Sequence, residues 1–68
     1  MVEPGDWGWC EVLEGRYVGE PMYYDDDDAG WAICYFVGHS GLPDIMRGFV
    51  RIRRAHLVRL VDARGLID

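Results

Sequence analysis

The segment Gly48–Asp62, GFVRIRRAHLVRLVD, decides the fold. Val50 and Ile52 alternate with Arg51 and Arg53, which in an extended chain puts the apolar pair on one face and the arginines on the other. Arg54-Ala55-His56-Leu57 breaks the alternation and reads as one tight helical turn. Val58, Leu60 and Val61 then resume an apolar run, with Arg59 between them. Strand, single turn, strand is a common ending for a small β-barrel, and here it also carries most of the chain's positive charge.

Upstream, Trp31–Val37, WAICYFV, is the strongest strand signal: seven apolar residues rich in aromatic and β-branched types. It has no polar face, so it is either buried on both sides or exposes an apolar strip. Between it and the closing segment lies Gly38–Gly48, whose three glycines and proline exclude a stable helix. Leu42, Ile45 and Met46 in that loop either fold onto the core or form part of a binding surface. Pro4-Gly5-Asp6 is a turn leading into a strand over Trp7–Leu13, with Gly8, Cys10 and Val12 on one face and Trp7, Trp9 and Glu11 on the other. A loop over Arg16–Pro21 leads to a short strand, Met22-Tyr23-Tyr24. Asp25–Asp28 with Ala29-Gly30 reads as a hairpin tip, because four aspartates repel one another, resist β pairing and favour water. The expected core is Cys10, Val12, Ala32, Cys34, Phe36, Val50, Ile52, Leu57 and Leu60, and residues 63–68 form a short tail.

Five short strands with a single-turn helix before the last resemble SH3-like and KOW-type small barrels. Four places carry the resemblance: Gly5-Asp6-Trp7 at the entry to the first strand, Gly15–Glu20 as a long first loop, Gly30-Trp31 at the start of the central strand, and Arg53–Val61 as the final turn and strand. The resemblance implies an all-β fold, a five-stranded SH3-like barrel with one short 3-10 turn before the last strand, forming one domain over residues 1–68. It does not imply proline-rich peptide binding, because the Ala-Leu-Tyr-Asp-Tyr-like segment of peptide-binding SH3 domains is missing. Nor does it imply the nucleic-acid role of KOW motifs, whose first strands are basic where these are acidic.

The chain has 68 residues and nine large rings. A domain this small buries only about 60% of its unfolded surface, so its core is thin and some rings sit at the surface. There they either brace the barrel from outside or form a contact surface. The net charge of −5 argues against non-specific binding to nucleic acid or membrane surfaces. Residues 1–34 set nine acidic side chains against Arg16, while residues 35–68 set three against six arginines. The two halves either pair with each other or orient a charged partner. All seven basic residues are arginine, which suits a GC-rich genome, and the small size suits a phage or mobile-element protein. There is no signal-peptide pattern and no apolar run near the roughly 20 residues of a membrane span. Cys10 and Cys34 are therefore expected as buried thiols of a cytoplasmic protein, with no membrane contact.

No chemistry-bearing constellation is complete. An EF-hand loop starting at Asp25 would put Ala29 at position five and Phe36 at position twelve, where oxygen ligands are needed. Two cysteines and two histidines, His39 and His56, lack the close pairs of a zinc site. Cys10, Cys34 and Ser40 have no base held in a fixed geometry. The expectation is therefore a non-enzymatic protein without cofactor or metal that binds a protein partner or itself. Its contact surface is expected to comprise Trp7, Trp9, Tyr23, Tyr24, Trp31 and Tyr35, with Asp25, Asp26, Asp27 and Asp28 supplying charge complementarity. Self-association through the apolar central strand belongs to the same expectation. One alternative is a nucleic-acid interface on Arg51, Arg53 and Arg59; another is an acidic decoy that imitates a nucleic-acid backbone.

Overall fold

In the computed structural model, which describes residues 2–60, the chain forms five strands. They are β1 Gly8–Val12, β2 Pro21–Asp28, β3 Trp31–Phe36, β4 Phe49–Arg53 and β5 Leu57–Arg59. All neighbours are antiparallel, in the order β4-β3-β2-β1-β5. Among the described residues helix is limited to two 3-10 turns, Ile45–Arg47 and Arg54–His56. The second is the turn expected from the closing segment, and the first is additional. Val61, Asp62 and the 63–68 tail lie outside the described residues.

The fold is all-β, as expected, but the sheet is open rather than a closed barrel. Its edges, β4 and β5, are consecutive in the chain and joined by the three residues Arg54–His56. In a flat sheet of five strands at about 4.8 Å spacing, the edges would lie roughly 19 Å apart. Three residues of 3-10 turn rise only about 6 Å. The sheet therefore curls until its edges approach, and the concave side becomes the core.

That core contains Val2, Cys10, Val12, Met22, Tyr24, Ala32, Cys34, Ile52 and Leu57. Strand parity explains most of it. Gly8, Cys10 and Val12 in β1 and Ile52 in β4 point inward, at period two. Phe36 and Val50, expected in the core, pack against it only partly buried, and Leu60 is half-buried. Val2, Met22 and Tyr24 join the core although the sequence reading leaves them outside it. In the loop between β3 and β4, Leu42, Ile45 and Met46 do not fold onto the core; they are 62%, 68% and 91% exposed. The loop is instead closed by its backbone, through Gly38 N–H to Leu42 O at 2.9 Å and Asp44 N–H to Phe36 O at 2.7 Å. No helix among the described residues is long and apolar enough to cross a membrane.

Candidate functional site

The acidic run is not a hairpin tip. Asp25–Asp28 are the second half of β2, and the turn is Ala29-Gly30 alone, closed by the pair Asp28↔Trp31. Both turn residues have positive φ, 51° and 90°, as a tight two-residue hairpin requires. Pairing steps from Tyr24↔Cys34 to Asp26↔Ile33, two residues along β2 for one along β3. Asp25 is therefore an extra residue, and this bulge inverts the parity of everything after it. Tyr24 and Asp27 both turn inward, while Asp26 and Asp28 turn outward.

The inward pair is a structural centre. Tyr24 is fully buried, which corrects its expected place on the contact surface: it fills the core, and its hydroxyl donates to Asp27 Oδ1. Arg54 Nη1 donates to the same oxygen at 2.9 Å, and the Gly5 N–H donates to Asp27 Oδ2 at 3.2 Å. One carboxylate thus ties together β2, the N-terminal turn and the last 3-10 turn. Burial alone would raise the Asp27 pKa, but the bonds from Tyr24, Arg54 and the Gly5 amide outweigh it and hold the carboxyl below its ordinary value. Burial, reinforced by Asp27, pushes the Tyr24 phenol up to about 12. The run therefore does not offer four solvated charges, and it makes a poorer imitation of a phosphate backbone than its sequence suggests.

Trp7 remains 45% exposed, but its ring turns toward buried Tyr24 rather than lying beside Trp9. Gly8 has φ 138°, a region open to glycine that breaks the alternation, and the Trp7 ring meets buried Tyr24 edge-on at 5.1 Å. Trp7 covers one end of the core.

The remaining residues assemble on the convex face in three rows that cross the strands. Trp9, Tyr23, Tyr35 and Phe49 stand in register on β1, β2, β3 and β4. Trp9 and Tyr23 meet edge-to-face at 4.6 Å and Tyr35 and Phe49 at 6.5 Å, geometries that favour aromatic pairs. The next row is Asp26, Ile33 and Arg51, and the third is Asp28, Trp31 and Arg53. Arg53 lies over the Trp31 ring at 4.3 Å, and Arg51 Nη2 reaches Asp28 Oδ2 at 3.1 Å. Both partners of that ion pair are more than half exposed, so it contributes little stability. Among the described residues, Asp26 and Arg53 form no ion pair. A cleft of about 370 Å³ opens here, floored by Ile33, Tyr35 and Phe49 and rimmed by the aspartates of β2.

Phe49 and Ile33 belong to this face although the sequence reading does not nominate them. Phe49 shares the parity of Arg51 and Arg53, so the alternation of the closing segment already contained that signal. Arg59 does not join Arg51 and Arg53. It sits on β5 in register with Cys10, which faces the core, whereas Arg51 and Arg53 face outward, so the three arginines do not form one stripe.

A second cleft, of about 360 Å³, lies between the β1–β2 loop and β4, with Tyr17, Trp31, Arg53 and His56 on its walls and Val12 and Ile52 among its lining. His56 Nε2 approaches Glu14 Oε1 at 3.5 Å there. Cys10 and Cys34 are free and fully buried. Burial pushes them up to about 11 and about 12, so neither thiol is poised as a nucleophile at neutral pH. Comparison of the chain with protein-family models, curated proteins and solved structures returns no match.

Proposed function

We propose that this chain is a non-enzymatic protein-binding module whose working surface is the convex face of the sheet. The observation that carries this reading is the in-register aromatic row Trp9, Tyr23, Tyr35 and Phe49, left half-buried or exposed. Such rings could have been buried only in a larger core; held rigid on a sheet, they supply contact area at little cost in side-chain entropy. The charges beside the row, Asp26 and Asp28 on one strand and Arg51 and Arg53 on another, select and orient a partner. The chain's size, lysine-free composition and free thiols fit a cytoplasmic accessory protein of a phage or mobile element.

Selecting ligands from a displayed library of protein fragments tests the reading. Selected ligands are expected to lose at least about tenfold in affinity on Tyr35→Ala, a loss typical of an interface anchor, and to keep it on Arg16→Ala beside the second cleft. Ligands indifferent to Tyr35→Ala, or tight and salt-steep binding to DNA or RNA, would overturn it.

A further inference from the structure

The convex face is complementary to itself. β3 runs down its middle, presenting Trp31 and Tyr35, with Ile33, only 9% exposed, recessed between them. β2, on one side, presents Tyr23, Asp26 and Asp28. β4, on the other, presents Phe49, Arg51 and Arg53. The register places these residues in matched rows, with Asp26 and Arg51 flanking Ile33 and Asp28 and Arg53 flanking Trp31. Acid and base therefore stand at mirrored distances from the central strand, one strand spacing to each side.

We infer that this face docks on a second copy of the same chain, about a twofold axis parallel to β3. That operator preserves position along the strands and exchanges β2 with β4. Asp26 of each copy then faces Arg51 of the other, Asp28 faces Arg53, and Tyr23 faces Phe49. Tyr35 and Trp31 lie over their own counterparts along the axis. A twofold axis running across the strands would instead lay aspartate over aspartate and arginine over arginine, so the charges select one of the two arrangements. Asp26 and Arg53, without ion pairs among the described residues, both gain partners, and the Asp28–Arg51 pair gains a second member on each side. The three overlapping strands, β2 to β4, of about five residues each span roughly 10 by 17 Å between their axes, which places the contact at the small, weak end of reversible interfaces.

The inference rests on the convex face being the binding surface, and it names the partner. Its test is sedimentation velocity from about 10 µM to 1 mM, a range suited to a small reversible interface. The samples are wild-type protein, the variant D26R/D28R, the variant R51D/R53D, and an equimolar mixture of the two variants. Wild-type protein is expected to dimerise, and added salt is expected to weaken the dimer by screening exposed pairs. Each variant alone is expected to lose at least about tenfold in association, and the mixture to recover it as a heterodimer. Circular dichroism confirms that each variant is folded. Wild-type protein carrying mixed isotope labels supplies a readout without substitution, namely intermolecular contacts between Tyr23 and Phe49. A wild-type monomer across the range, a dimer retained by both variants, or a mixture that fails to associate would overturn the inference. If the protein is monomeric but selected ligands still depend on Tyr35, the binding surface stands and only the second copy falls. If selected ligands ignore Tyr35, the surface itself falls.

Discussion

Asp27 accepts three hydrogen bonds, from Tyr24, Arg54 and the Gly5 amide, and this sets the acid behaviour of the fold. Its folded pKa lies below the ordinary value of 3.8. The stabilisation is therefore fully present above that value and lost as pH falls through the lower folded one. Chemical denaturation at a series of pH values is expected to show stability declining below about pH 4, and Asp27→Asn is expected to flatten that decline. Tyr24→Phe removes one donor to the carboxylate and is expected to cost about 1–3 kcal/mol, read as a lower denaturation midpoint with an unchanged slope. An unchanged midpoint would mean that the hydroxyl contributes nothing to the fold. The same variant should remove part of the stability lost at high pH. With the Tyr24 pKa raised from 10 to about 12, the hydroxyl's contribution is complete below 10 and disappears as pH rises through the folded value.

The decisive element is β2, where the sequence was least legible. Four consecutive aspartates are poor strand formers when read by propensity alone, so the run suggested a turn. Register overrides propensity because β3, apolar along its length, pairs with whatever lies beside it. The bulge at Asp25 then turns one partly buried carboxylate inward against Tyr24 and two to the convex face, and no periodicity rule applied to YYDDDD shows which. By contrast, β1, β3 and the strand-turn-strand of the closing segment were legible, because the alternation in β1 and β4 and the continuous apolar run of β3 act locally. Tyr24 turns inward with Met22 through its pairing with Cys34, upstream of the bulge, and only its hydroxyl partner Asp27 depends on the bulge. Deleting Asp25 should straighten β2 while leaving every other side chain on its present face. The deletion variant is expected to keep cooperative unfolding by circular dichroism, and a broad, non-cooperative transition would show that the bulge is not a simple insertion. At the adjacent turn, Ala29 holds φ 51°, a left-handed conformation costing a residue with a Cβ about 1–2 kcal/mol. Ala29→Asn, a residue that tolerates this region, is expected to raise stability by up to about 1 kcal/mol, visible as a higher thermal midpoint.

At the scale of the molecule, the charge asymmetry between the two halves of the chain becomes a spatial arrangement. Part of it is internal, in the ion pairs Asp27–Arg54 and Asp28–Arg51. Another part lies across the convex face, with Asp26 and Asp28 on β2 and Arg51 and Arg53 on β4, on either side of an apolar and aromatic centre. Net charge alone argues against polyanion binding, but it gives no hint that opposite charges would stand in register two strands apart. The curl of the sheet gives this face its role: the concave side is consumed by the core, and four of the rings that it does not hold stand in one row outside. The most direct measurement is an amide chemical-shift map of the ¹⁵N-labelled protein as a bound partner, selected ligand or second copy, is titrated in. The perturbed amides are expected to cluster at Trp9, Tyr23, Tyr35, Phe49 and the flanking residues Asp26–Asp28 and Arg51–Arg53. A cluster centred instead on Glu14–Tyr17 and His56, around the second cleft, would contradict the account.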